Sequence, residues 1–107
     1  MLKIINSNIE LTRGDTAHIP IETDYEFQQN DVVKFSVKAD FEDTAYKIQK
    51  KITYFDGNIV TIHLTPQDTR LSPGVYVYDC QLNNSMGEVD TFLSGTFTIL
   101  QEVTKDD

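Results

Sequence analysis

The chain has 107 residues, a formal net charge of −8, one cysteine and no tryptophan. Its length fits a single domain able to bury roughly two-thirds of its unfolded surface without disulfide staples. The excess of acids opposes binding to nucleic-acid phosphates or anionic membranes, and no apolar run is long enough to span a bilayer.

The opening Met1-Leu2-Lys3-Ile4-Ile5-Asn6 lacks the apolar core of a signal peptide, so the expectation is a chain made and kept without a cleaved leader. Residues 4–11 are the first strand candidate. Thr12-Arg13-Gly14-Asp15 is a turn, with glycine free to take positive φ and aspartate able to bond neighbouring amides. Residues 16–23 follow as a strand with Ala17, Ile19 and Ile21 inward. Pro20 faces the other way and marks a sheet edge, because it removes a ladder donor.

Residues 24–31 read as a polar loop pinned by Tyr25 and Phe27. Residues 32–39 alternate, with Val33, Phe35 and Val37 inward and Lys34, Ser36 and Lys38 outward, the pattern of a half-buried strand. After an acidic turn at 40–44, Tyr46, Ile48 and Ile52 mark the inner face of a fourth strand. Lys50 interrupts that face and points to a strand end or a bulge. Asp56-Gly57 is the strongest hairpin signal and predicts pairing of the fourth strand with residues 58–64.

Thr65-Pro66-Gln67-Asp68 carries a threonine cap, a proline at the first helical position and an acid at the third, which predicts one short helical turn. Pro73-Gly74 then makes a sharp corner into a long strand. Tyr76, Tyr78, Cys80 and Leu82 share one of its faces, and Val75, Val77, Asp79 and Gln81 the other. Tyr76, Pro73 and Gly74 together resemble the tyrosine corner of immunoglobulin-like domains. The expected bond runs from the Tyr76 hydroxyl to backbone in residues 68–71. Residues 83–87 form a hairpin loop and 88–100 the last strand, with a bulge or bend expected at Ser94-Gly95. The sum is an all-β fold of about seven antiparallel strands with one short helical turn.

Candidate chemistry is sparse. Arg13-Gly14-Asp15 matches an integrin-recognition triplet but reads first as a turn. Asp40, Glu42 and Asp43, or Asp24, Glu26 and Asp31, offer oxygen ligands for Ca²⁺ without EF-hand spacing. His18 and His63 fall on outward positions of separate strands, and a zinc site would need further converging ligands. Cys80 sits on an inner face, and no nucleophile elbow, zinc-protease helix motif or phosphate loop occurs. The residues therefore indicate no enzyme, no cofactor and no metal. Asn83-Asn84-Ser85 is formally a glycosylation sequon that serves better as loop chemistry.

Several stretches in order resemble a family of small immunoglobulin-like virion domains from phages and prophages of Gram-positive bacteria. They are Leu11-Thr12-Arg13-Gly14-Asp15-Thr16, the run from Asn30 to Lys38, Ile48-Gln49-Lys50, Leu64-Thr65-Pro66-Gln67-Asp68-Thr69, the run from Pro73 to Leu82, and Gly87-Glu88-Val89-Asp90-Thr91. The N-terminal domain of baseplate upper proteins is the member they are most similar to. The resemblance implies an immunoglobulin-like β-sandwich over residues 1–100 and a charged tail over 101–107. It also implies a structural part of the virion, assembled in the bacterial cytoplasm, that binds other baseplate or tail proteins and admits homo-oligomers. Contact surfaces expected on that reading are the edges of the first and last strands and the 24–31 loop. Two other readings stand beside it. One is a carbohydrate- or receptor-binding module with Tyr25, Tyr46 or Tyr54 as the stacking platform; the other is a small acidic inhibitor of a host protein.

Overall fold

The computed structural model describes residues 7–105. Seven strands run in the order β1 (Ile9–Thr12), β2 (Ala17–Glu22), β3 (Val32–Lys38), β4 (Ile48–Ile52), β5 (Ile59–Leu64), β6 (Gly74–Asn83) and β7 (Val89–Leu100). They build a five-stranded sheet in the order β1-β7-β6-β3-β4 and a two-stranded sheet of β2 and β5. The part of the first strand expected at residues 4–6 lies outside the described residues.

Alternation decides which side of each strand is buried. Val33, Phe35 and Val37 of β3, Tyr76, Tyr78, Cys80 and Leu82 of β6, and Phe97 and Ile99 of β7 line the inner face of the larger sheet. Ala17 and Ile21 of β2 and Val60, Ile62 and Leu64 of β5 line the smaller one, and all join one core. Phe35, Tyr78 and Phe97 meet at its centre with ring centroids 5.6, 6.1 and 6.5 Å apart. Burying a side chain of that size stabilises by roughly 1.5–3 kcal/mol, so this cluster is the fold's main anchor.

Several expectations need correction. The sheet is mixed rather than wholly antiparallel, because β1 runs parallel to β7 with Ile9 opposite Phe97 and Leu11 opposite Ile99. The turn expected at 12–15 forms, with the Asp15 amide donating to Thr12 O at 3.1 Å. It hands the chain from the larger sheet to the smaller, and the Arg13 amide extends the β1–β7 contact by donating to Leu100 O at 2.8 Å.

No helix forms among the described residues. The capping chemistry at 65–68 is present, since the Thr65 amide donates to Asp68 Oδ2 at 2.8 Å and the Asp68 amide to Thr65 Oγ1 at 3.2 Å. One amide-to-carbonyl bond, Thr69 N to Thr65 O, then closes a single turn. The corner at Ser72-Pro73 follows too soon for propagation to repay helix nucleation.

Asp56-Gly57 does not pair β4 with β5. The turn itself forms, with Asp56 and Ile59 exchanging both backbone bonds at 3.0 and 2.9 Å. Beyond it the chain changes sheets: β4 pairs with β3, and β5 with β2. Phe55 leaves the ladder to stack on Phe27, centroids 4.3 Å apart.

The bulge lies at Phe92, not at Ser94-Gly95. The register steps from Cys80–Leu93 to Gln81–Thr91, leaving Phe92 unpaired, and both Phe92 and Leu93 turn inward. Gly95 serves a close approach instead, since a Cβ there would sit 2.6 Å from the Ser7 carbonyl oxygen. Lys50 makes no bulge either. The β3–β4 register is continuous, and Lys50, on the inner side of an edge strand, reaches out to Asp68 at 2.8 Å. An inward-pointing charge on an edge strand deters pairing with another chain. Tyr46 is not an inner-face residue. The strand begins only at Ile48, and Tyr46 is half exposed.

In the charged tail, Glu102 is tied to the turn after β1. Arg13 holds that carboxylate at 2.9 Å, and donates from Nε to Leu71 O at 3.1 Å.

Candidate functional site

The outer face of the five-stranded sheet carries a groove of about 250 Å³. Strand register builds it. Lys34 lies opposite Lys51 on β4 and Gln81 on β6; one step along, Ser36 lies between Gln49 and Asp79; one step further, Lys38 lies opposite Val77. The loop after β3 folds over one end and brings Phe41 and Tyr46 to the rim. Phe41 is 78% exposed, and Lys38 Nζ stands 5.0 Å from the centroid of the Tyr46 ring.

The electrostatics of this face oppose those of the whole chain. Lys34 and Lys51 are like charges directly across a strand pair, an arrangement that costs stability. Neither forms an ion pair with a described residue; the pairs formed are Arg13–Glu102 and Lys50–Asp68. Asp79 is the carboxylate in the groove floor. Burial pushes its carboxyl up from the ordinary range, with the nearby Lys38 acting against that shift. A face with more lysines than carboxylates, two amide side chains and two exposed aromatics can hold an acidic, partly apolar surface. Aromatic anchors among cations also supply contact area at low entropic cost.

The corner residues lie at the other end of β6. The Tyr76 hydroxyl donates to Ser72 O at 2.6 Å, one residue past the expected 68–71 segment. Pro73 precedes the strand and Gly74 opens it. The corner is completed by Thr69, fully buried, whose hydroxyl donates to Asp15 O at 2.7 Å.

Other sequence candidates resolve into local structure. Within Arg13-Gly14-Asp15, Arg13 is engaged by Glu102 and Leu71, and the Asp15 amide bonds Thr12 O. Asp31 is buried and accepts from the Tyr25 hydroxyl at 2.9 Å and the Gln28 amide at 2.8 Å, so it orders its own loop. Asp40 does the same through the Glu42 amide. Among the described residues no three His, Cys, Asp or Glu side chains converge as metal ligands. Burial pushes the Cys80 thiol up to about 12, which makes it unreactive at neutral pH. The Asn84 side chain accepts the amides of Met86 and Glu88, so it builds the β6–β7 loop. Of the tyrosine platforms, Tyr46 lines the groove and Tyr54 is exposed away from it. Tyr25 packs edge-on against Phe27. The edge of β7 is not available as a contact surface, because β7 is enclosed between β1 and β6.

Sequence reasoning named Lys34, Ser36 and Lys38 as one outward face but missed their pairing with Lys51, Gln49 and Gln81. The signal was the alternation; the missing fact was the register. No protein-family model matches the chain, and no curated protein shows significant similarity to it.

Proposed function

We propose that the chain is a non-enzymatic interaction module of a phage or prophage particle, with an immunoglobulin-like sandwich fold and the lysine groove as its contact face. Two lines support the fold reading. β3-β6-β7 stand side by side as strands C, F and G do in immunoglobulin domains, and β2-β5 as strands B and E do. The Tyr76 bond to Ser72 has the form of a tyrosine corner at the start of strand F.

The observation that carries the functional reading is the groove itself. A chain of net charge −8 sets Lys34, Lys38 and Lys51 on one sheet face, none of them within ion-pair distance of a described carboxylate, beside exposed Phe41 and Tyr46. Such a face holds a neighbouring virion protein through acidic and aromatic contacts, at baseplate or tail. Amine-reactive crosslinking of purified particles tests this. Crosslinks should concentrate on Lys34, Lys38 and Lys51 and lead to another virion protein; crosslinks confined to other lysines would contradict the assignment of the face.

A second reading takes the same groove as a site for an acidic sugar. Tyr46 would stack on the ring, with Gln49 and Gln81 bonding hydroxyls and the lysines holding the carboxylate. Calorimetric titration with uronic-acid oligosaccharides separates the two: binding weakened by Tyr46→Ala favours the sugar, and no heat favours the protein partner.

A further inference from the structure

On the opposite side of the molecule, His18 and His63 stand directly across from each other on β2 and β5, both exposed. Their Nδ1 atoms are 2.6 Å apart, and the rings meet edge to face with centroids 4.7 Å apart. A contact of this length is an N–H···N hydrogen bond, in which one ring donates from Nδ1 and the other accepts. The two Nδ1 atoms therefore face each other, held there by two hydrogen-bonded strands rather than by a loop.

We propose that His18 and His63 form a bidentate, solvent-open site for a tetragonal transition-metal ion, Cu²⁺ above all. The geometry selects among metals. Two imidazole nitrogens bound about 2.0 Å from a metal at a right angle are roughly 2.8 Å apart, whereas tetrahedral binding spreads them to roughly 3.3 Å. The observed 2.6 Å is a few tenths of an ångström from the first arrangement and well short of the second. Square-planar nitrogen sites favour Cu²⁺ and Ni²⁺, and Cu²⁺ heads the affinity order of divalent first-row metals. Oxygen-seeking Ca²⁺ and Mg²⁺ have no reason to bind.

Binding balances without redox change. The donor ring gives up its Nδ1 proton and takes one at Nε2, so each ring offers an Nδ1 lone pair to the metal. Two Nδ1–metal bonds form, and two waters leave the ion. Among the described residues no third His, Cys, Asp or Glu joins the pair. The remaining positions are left to water, and the ion exchanges freely. The site is independent of the lysine groove, which lies on the other sheet.

The test is titration of the full, metal-free chain with Cu²⁺, Ni²⁺ and Zn²⁺ in a non-chelating buffer, by calorimetry and electron paramagnetic resonance. One Cu²⁺ per chain should bind with a tetragonal two-nitrogen spectrum, more tightly than Ni²⁺ or Zn²⁺. His18→Asn and His63→Gln should each weaken Cu²⁺ binding by at least about tenfold, since each loses the chelate. The double variant sets the background from the chain's other donors. In the unsubstituted chain, substoichiometric Cu²⁺ should broaden the amide signals of residues 17–19 and 62–64 before all others. Single variants that bind as tightly as the wild type, a stronger response to Zn²⁺, or first broadening elsewhere would each overturn the proposal.

Discussion

The hydroxyl of Tyr76 donates to the carbonyl of Ser72 at 2.6 Å. A side chain at the first inward position of β6 thus ties down the corner that precedes the strand. Ser72 is exposed, so water can take over its carbonyl when the hydroxyl is removed. Tyr76→Phe should cost roughly 0.5–1.5 kcal/mol. The denaturant midpoint should fall while the slope of the transition stays constant; an unchanged midpoint would remove the corner bond from the account.

Asp79 gives a prediction with a definite sign. Burial raises its folded-state pKa above the unfolded value of about 3.9, so protonation favours the folded chain. That contribution is fully present below about pH 4 and is lost as pH rises through the folded value. Asp79→Asn mimics the neutral form. It should therefore melt higher than wild type at pH 7 and match it near pH 3. A variant less stable than wild type at pH 7 would mean that the attraction of Lys38 outweighs the cost of burying the carboxylate.

Gly95 has no room for a side chain. An added Cβ would stand 2.6 Å from Ser7 O and 2.7 Å from Ser7 Oγ. The same carbonyl accepts the Tyr78 hydroxyl, so the backbone at Ser7 is held from two sides. Gly95→Ala should destabilise by about 1–3 kcal/mol, read as a lower melting temperature than that of the neighbouring Ser94→Ala. Equal melting temperatures would show that the segment at Ser7 moves aside at no cost.

Cys80 is fully buried and its thiol is pushed up to about 12 by burial first and by Asp79 second. A thiol reagent at pH 8 should label it only as fast as the chain opens. Adding denaturant should raise the labelling rate in step with unfolding. Rapid labelling of the native chain would contradict its burial.

Strand faces were legible because alternation is local. Val33, Phe35 and Val37, and Tyr76, Tyr78, Cys80 and Leu82, needed no knowledge of neighbours to be placed inward. Pairing was not legible, because it depends on residues far apart. The Asp56-Gly57 turn reads the same whether its flanking strands pair or part, and they part, since Phe55 finds Phe27. The helical turn was over-read because capping chemistry at Thr65 and Asp68 also suits an isolated turn. The bulge leaves a visible trace in the adjacent apolar pair Phe92-Leu93, whereas Ser94-Gly95 has bulge-like composition and regular pairing. The groove lysines were seen as outward and not as opposed, and His18 and His63 lie 45 residues apart. Both sites exist only through register.

On the proposed reading the lysine face fixes this chain to a phage particle. The direct measurement is co-sedimentation with purified phage particles, comparing wild type with the Lys34→Glu, Lys38→Glu double variant, each shown to be folded by its melting curve. Wild type should appear in the particle fraction at constant stoichiometry, and the variant in the supernatant. Wild type left in the supernatant, or a variant that sediments equally well, would contradict it.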